Sequence, residues 1–176
     1  MIVIIHAHPN AQRSVVGRAL LDAVRDLPDL QLRSLYDLYP DFSVDVRAER
    51  EALSRARLIV WQHPLLWYSV PSLLKLWFDT VLVRGCAFGD GAAALANKDC
   101  LWVTTTGADA STYTEAGAHG VAVETLGLPV ERIARMCGMR WLDPVVIHAA
   151  HRAGSTALAD HGRSFRARLQ PYVRHE

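Results

Sequence analysis

Three short stretches of this chain carry groups that could hold a ligand. Ser14-Val15-Val16-Gly17 places a hydroxyl and consecutive backbone amides at the start of a helical pattern. Unpaired N–H groups and the helix dipole both favour an anion there, so the stretch reads as a phosphate cradle, with His8 as a further donor beside it. Ser14 would equally serve as an ordinary helix N-cap. Leu65-Leu66-Trp67-Tyr68 offers apolar surface, two broad rings and backbone donors. Thr105-Thr106-Gly107-Ala108 offers hydroxyls and a close approach to backbone. A flat conjugated ligand with a phosphate needs these three things together.

The elements that must bring these stretches together follow from hydrophobic periodicity. Ile2–Ile5 is a β-branched run suited to a buried parallel strand. A helical pattern follows from Ser14, through Val15, Ala19, Leu20, Ala23, Val24 and Leu27. Residues 30–35 read as a second strand near a sheet edge. Residues 36–46 read as a loop, with a turn at Tyr39-Pro40-Asp41-Phe42. Residues 47–56 make a charged helix with one weak apolar side. Strand three is 58–61. The helix after it has Pro71 in its first turn, Ser69 as cap, and an apolar face at Leu73, Leu74, Trp77, Phe78 and Val81. A partly glycine-rich connection covers 84–97 and strand four is 101–105. The loop beyond it carries Tyr113 and His119. A helix at about 121–137 includes Gly127 and Pro129, strand five is 141–148, and an amphipathic helix spans 155–173.

Five alternating βα units predict an α/β fold, a doubly wound five-stranded parallel sheet with helices on both faces and right-handed crossovers. In the order 2-1-3-4-5, strands one, three and four lie side by side at the switch point, so all three stretches meet at one sheet edge. No repeat, low-complexity tract or linker divides residues 1–176, which form a single domain.

Composition excludes several function classes. The net charge of +1 gives no electrostatic reason for a nucleic-acid partner. No apolar run reaches the ~20 residues that span a bilayer, so direct membrane insertion is not expected. The N-terminus lacks the pattern of a signal peptide. Cys86, Cys100 and Cys137 are widely spaced without a CxxC, which argues against a disulfide framework or zinc site and for reduced thiols in the cytoplasm. His6, His8 and His63 would be neighbours and raise a remote alternative, a His-based metallohydrolase. No carboxylate joins them in a ligand pattern, so no metal is expected. A serine hydrolase finds no GxSxG elbow.

The chain resembles the flavodoxin-like NAD(P)H:quinone oxidoreductases, and within them the ancillary proteins of glutathione-regulated potassium-efflux (Kef) systems. The matching residues are Ala7-His8-Pro9, Ser34-Leu35-Tyr36 with Tyr39-Pro40-Asp41-Phe42, Gln62-His63-Pro64 with Trp67-Tyr68-Ser69, Leu73-Leu74-Lys75-Leu76-Trp77 with Asp79, Thr105-Thr106-Gly107, and Trp141-Leu142 with Pro144. The resemblance spans nearly the whole chain and implies FMN rather than FAD. FMN would be held by His8, Ser14, Val15, Val16 and Gly17 at the phosphate, and by Leu65, Leu66, Trp67, Tyr68, Thr105, Thr106, Gly107 and Ala108 at the ring. It also implies Tyr113 and His119, six residues apart, as catalytic groups lying over the flavin, with NAD(P)H as co-substrate and a quinone as acceptor. Hydride transfer is expected in a ping-pong order.

The family is homodimeric, and exposed parts of the 73–81 face are the candidate interface. A Kef-type potassium/proton antiporter is the implied partner, which would place the protein on the inner face of the membrane through that partner. The rival reading is a regulatory binding module whose role does not use the redox reaction. Three positions depart from the family pattern. Ala108 stands where a second glycine is frequent, so a positive φ there would be strained. Leu66 replaces a commonly polar residue, and Gly17 replaces a frequent asparagine.

Overall fold

The computed structural model describes residues 1–89 and 94–173. Part of the expected 84–97 connection, residues 90–93, and residues 174–176 lie outside the described residues. The strands are β1 (Ile2–His6), β2 (Leu30–Ser34), β3 (Leu58–Pro64), β4 (Asp99–Thr105), β5 (Arg140–Trp141) and β6 (Val145–Ile147). The helices are α1 (Val15–Asp22), α2 (Leu35–Leu38), α3 (Val46–Arg55), α4 (Ser72–Val81), α5 (Val123–Met136) and α6 (Ser155–Leu169).

All pairings are parallel, in the order β2-β1-β3-β4-β5, with β6 also on β4. The expected order 2-1-3-4-5 is therefore the observed one. The fifth position differs from the single expected strand 141–148. Leu142-Asp143-Pro144 interrupts it, and proline has no N–H for a ladder. Two short strands share the edge of β4 instead. β2 is the expected edge strand.

Successive residues of each central strand point to opposite faces, and each face meets its own apolar cluster. Val3, Ile5, Ile59, Trp61 and Trp102 face one cluster, closed by Ala52 and Leu53 of α3, Leu73, Leu74 and Trp77 of α4, and Val130 and Ala134 of α5. Ile2, Ile4, Val60, Leu101 and Val103 face the other, closed by Val16 and Leu20 of α1 and Phe165 and Leu169 of α6. This is the doubly wound arrangement of the flavodoxin-like order.

Several local expectations shift. β3 runs on past Trp61 to Pro64 and β4 starts at Asp99, two residues early, because their pairing extends from Leu58 opposite Asp99 to Pro64 opposite Thr105; β4 ends at Thr105 as expected. Pro71, not Ser69, is the N-cap of α4. A short helix, α2, interrupts the expected 36–46 loop. Gly127 and Pro129 both lie inside α5, which starts at Val123. A Cβ on Gly127 would lie 2.3 Å from the buried Trp102 ring, so glycine lets α5 settle on β4. The weak side of α3 hides a charge. Glu49 is wholly buried, and its carboxylate accepts from Arg33 Nε (2.9 Å), the Tyr39 hydroxyl (2.6 Å) and Trp77 Nε1 (2.9 Å). This ties β2, α3 and α4 together. The three cysteines are free thiols, and burial pushes Cys100 well up and Cys137 to about 11, which leaves both unreactive.

Candidate functional site

At the carboxyl ends of β1, β3 and β4 lies a cavity of about 330 Å³. His8, Ser14, Val15, Val16, Gly17, Leu65, Leu66, Thr105, Thr106 and Gly107 line it, so the fold does bring the three stretches to one place. The first backbone bond of α1 is Arg18 N–H to Ser14 C=O (2.9 Å). The amides of Val15, Val16 and Gly17 therefore donate to nothing among the described residues. Ser14 holds the N-cap position, but its hydroxyl caps no amide. A Cβ at position 17 would lie 2.2 Å from Ser14 Oγ, so glycine leaves that hydroxyl its space.

His8 Nδ1 accepts from the Asn10 N–H (3.0 Å), which puts the ring's proton on Nε2 as a donor at the cavity wall. Burial holds His8 below the usual imidazole range. Behind it, His6 is buried and lowered to about 4, first by burial and then by His8, while Asp37 and Gln62 oppose. His63 has both ring nitrogens in use: Nε2 accepts from Trp102 Nε1 (2.7 Å) and Nδ1 donates to Pro64 C=O (2.9 Å). A metal would have to displace one of these bonds, so the three-histidine reading has no free ligand at its third corner.

The aromatic stretch forms a two-residue hairpin turn. Leu66 and Ser69 exchange both backbone bonds (3.0 and 2.9 Å), while Trp67 and Tyr68 have φ of 48° and 63°. Two positive φ values in sequence define a type I′ turn, which asparagine and glycine prefer. Two bulky aromatic residues are strained there, and Trp67 is 94% exposed. Neither ring lines the cavity. Tyr68 instead lines a smaller cavity of about 100 Å³ behind the hairpin, with His63, Trp102 and Val130 among its other walls. Two expected donors are spent: Leu65 N–H bonds Thr105 C=O (2.8 Å) and Leu66 N–H bonds Ser69 C=O. Those of Trp67 and Tyr68 have no partner among the described residues.

On β4's side, the Thr106 hydroxyl donates to Ala108 C=O (2.8 Å), so its only proton is committed. A Cβ on Gly107 would meet nothing within 4 Å, which leaves open space at the cavity wall. Ala108 does not have a positive φ and does not line the cavity, so its replacement of glycine carries no strain.

Tyr113 and His119 meet each other but stand outside the cavity wall. Their rings stack at 4.2 Å and 19°, and Tyr68 meets His119 edge-on at 5.6 Å, with its hydroxyl 3.3 Å from His119 Nδ1. Burial raises the Tyr113 phenol, Tyr68 adds to that, and the nearby Thr106 hydroxyl opposes it.

Besides Pro64 at the end of β3, sequence reasoning missed Arg13, Ala150 and His151 of the cavity wall, and His148 beside Tyr113. Arg13 precedes Ser14 directly, so a cation beside the cradle was legible. The other three follow β6, whose carboxyl end the sheet order already places beside the β4 loop. With Arg13 and His151 in its wall and no carboxylate there among the described residues, the cavity suits an anionic group at the α1 end and a flat one between 65–66 and 105–107.

The chain is similar to known proteins along nearly its whole length. It is 46% identical, over 96% of this chain and 95% of that protein, to the glutathione-regulated potassium-efflux system ancillary protein KefF of Citrobacter koseri. Among solved structures, one described as a thermophilic tryptophan halogenase from Streptomycin violaceusniger is 36% identical with a TM-score of 0.90, covering 95% of this chain and 97% of that one. General stress protein 14 of Treponema denticola, solved in complex with FMN, is 33% identical with a TM-score of 0.89, covering 97% and 98%. An NADPH-quinone reductase from P. pentosaceus is 26% identical with a TM-score of 0.84, covering 100% and 99%. Residues 1–169 match the Flavodoxin_2 family, described by its flavodoxin-like fold, and with that span, this sheet order and this cavity, the chain belongs to that family.

Proposed function

We propose that this protein is an FMN-dependent NAD(P)H:quinone oxidoreductase that works in ping-pong order, NAD(P)H and a quinone using the same face of the site in turn. The observation that carries it is the cavity itself. Unpaired amides of α1 and the His8 donor stand at one end, and open space at Gly107 beside Leu65 and Leu66 stands at the other. The residues present fit FMN. Val15 to Gly17, Ser14, His8 and Arg13 would hold its phosphate. Leu65, Leu66, Thr105, Thr106 and Gly107 would border its ring, with the Trp67-Tyr68 turn at its edge, while Ala108, which does not line the cavity, would not touch it. When bound, FMN supplies reversible two-electron hydride chemistry.

The chain's own part is binding, orientation and charge. Apolar walls keep water from the flat end, and the free amides of Trp67 and Tyr68 can stabilise developing negative charge. Tyr113 and His119, held face to face by stacking, can donate to a reduced carbonyl oxygen from the edge of the site. FMN in the T. denticola protein and quinone reduction in the P. pentosaceus protein support the reading.

The likeness to KefF supports a second role, as an ancillary subunit docking on a Kef-type antiporter at the cytoplasmic face of the membrane. No described helix is long and apolar enough to cross a membrane, so contact with the bilayer would run through that partner. A homodimer is also proposed, but not on the expected face. Leu73, Leu74, Trp77, Phe78 and Val81 are buried in the monomer's own core. Exposed Leu128 and Met136 on α5 are apolar candidates in its place.

An absorption spectrum of the purified protein with mass identification of released flavin tests cofactor binding. A colourless protein that also ignores added FMN overturns the proposal. Initial rates with NADPH and a quinone are expected to give parallel double-reciprocal lines, and intersecting lines refute the ping-pong order. Tyr113→Phe with His119→Ala separates the two roles. Loss of quinone reduction with retained efflux activation makes regulation independent of turnover, and equal loss of both, at unchanged FMN content, makes it depend on turnover.

A further inference from the structure

We infer that His148 is a positioning residue of this site, held as the Nδ1–H tautomer by Thr106 and acting as the backstop that fixes Tyr113 against His119. The inference rests on the role proposed for Tyr113 and His119.

The tautomer follows from counting protons. The Thr106 hydroxyl has one hydrogen, and it goes to Ala108 C=O at 2.8 Å. His148 Nδ1 lies 3.0 Å from the same oxygen. That contact is a hydrogen bond only if His148 is the donor, so its proton sits on Nδ1 and Nε2 is left as an acceptor. Thr106 is itself buried, which strengthens both bonds at its hydroxyl.

The position of the ring follows from the backbone around it. β6 ends at Ile147, and Ala149 has φ of 49°, a strained value for alanine. That reversal returns the chain to the β4 loop, where Ala149 N–H bonds Ala108 C=O (3.0 Å) and Ala150 N–H bonds Thr106 C=O (3.0 Å). Thr106 N–H in turn bonds Ile147 C=O (2.9 Å). His148 is thereby clamped next to the loop, with its ring 5.7 Å from Tyr113 at 40°. Tyr113 thus has two rings against it, His119 stacked on its face at 4.2 Å and His148 tilted at 5.7 Å. Neither contact is a covalent or ladder constraint on Tyr113, so the two rings, the Thr106 hydroxyl beside its phenol and local packing set where it stands.

The three backbone bonds do not involve the imidazole. Removing it should therefore loosen Tyr113 without unfolding the 105–108 loop. That gives a specific signature, a turnover defect at nearly normal flavin affinity.

The test uses the full chain, 15N-labelled, together with His148→Ala and His148→Asn. Long-range 15N–1H spectra of the wild type at about pH 8.5, above the ordinary imidazole range, should show His148 protonated on Nδ1. A proton on Nε2 overturns the inference. In His148→Ala the cross-relaxation between the Tyr113 and His119 rings should weaken, and an unchanged signal counts against a backstop. For turnover of 1,4-benzoquinone, His148→Ala should lower kcat on the order of 10- to 100-fold, the scale of lost orientation. Its FMN Kd should stay within about threefold of wild type, since the phosphate cradle is untouched. Asn offers an N–H near the place of Nδ1 and should recover most of kcat. Equal losses in Ala and Asn, or loss of FMN binding in both, refute positioning in favour of a merely structural role. If the wild type neither binds FMN nor reduces quinones, the proposed function fails. The tautomer and the Tyr113–His119 signal then still decide the inference.

Discussion

Acidification should unfold this protein earlier than its carboxylates alone would. His6 and His63 are both buried, and each is lowered from 6.5 to about 4, chiefly by burial. Depressed folded-state values mean that the unfolded chain binds protons the folded one refuses, so stability is full above about pH 6.5 and is lost as pH falls toward 4. The fall from 6.5 to about 4, at about 1.4 kcal/mol per pH unit, amounts to about 3 kcal/mol for each ring. Two such rings are a large part of the 5–15 kcal/mol that folds a domain. His8 shifts in the same direction. The lowered carboxyls of Asp26 and Asp41 act only below the ordinary carboxylate range, outside this window. Urea midpoints of the flavin-free protein from pH 7.5 down to 4.5 measure the effect. The steepest slope should approach 2.7 kcal/mol per pH unit, about two protons. His6→Gln, which cannot titrate, should remove about one proton from that slope. A midpoint that stays flat across the window, or a His6→Gln slope equal to wild type, would refute the reasoning.

Two further substitutions separate stability from function. Trp67→Gly should stabilise the flavin-free fold by about 1 kcal/mol, because glycine accepts the positive φ of the turn and a 94% exposed ring gives up little packing. The same change should weaken FMN binding in fluorescence titration, and unchanged stability with unchanged affinity would remove the ring from both roles. Arg33→Met should destabilise by about 3 kcal/mol in urea titration, since it leaves the buried Glu49 carboxylate with only the Tyr39 and Trp77 donors. A cost under 1 kcal/mol would mean that Glu49 does not depend on Arg33.

What the sequence determined by itself is the layered fold and the meeting of the three loops. Strand runs such as Ile2–Ile5, alternating with amphipathic helices, encode the 2-1-3-4-5 sheet, and that order forces the ends of β1, β3 and β4 together. The cradle at 14–17 was legible because a helix start always leaves amides unpaired. Long-range pairing decided the rest. Glu49 looked like one charge on a charged helix until Arg33, Tyr39 and Trp77, from distant parts of the chain, surrounded it. The apolar face of α4 was readable, but whether core or partner would use it was not, and the core took it. Thr106 offered a hydroxyl in the sequence, and only the return of the chain at Ala149 committed its proton to Ala108 and its lone pair to His148. Periodicity records which face a residue takes. It does not record which remote donor or ring arrives there, and that is what turned these loops into a cavity.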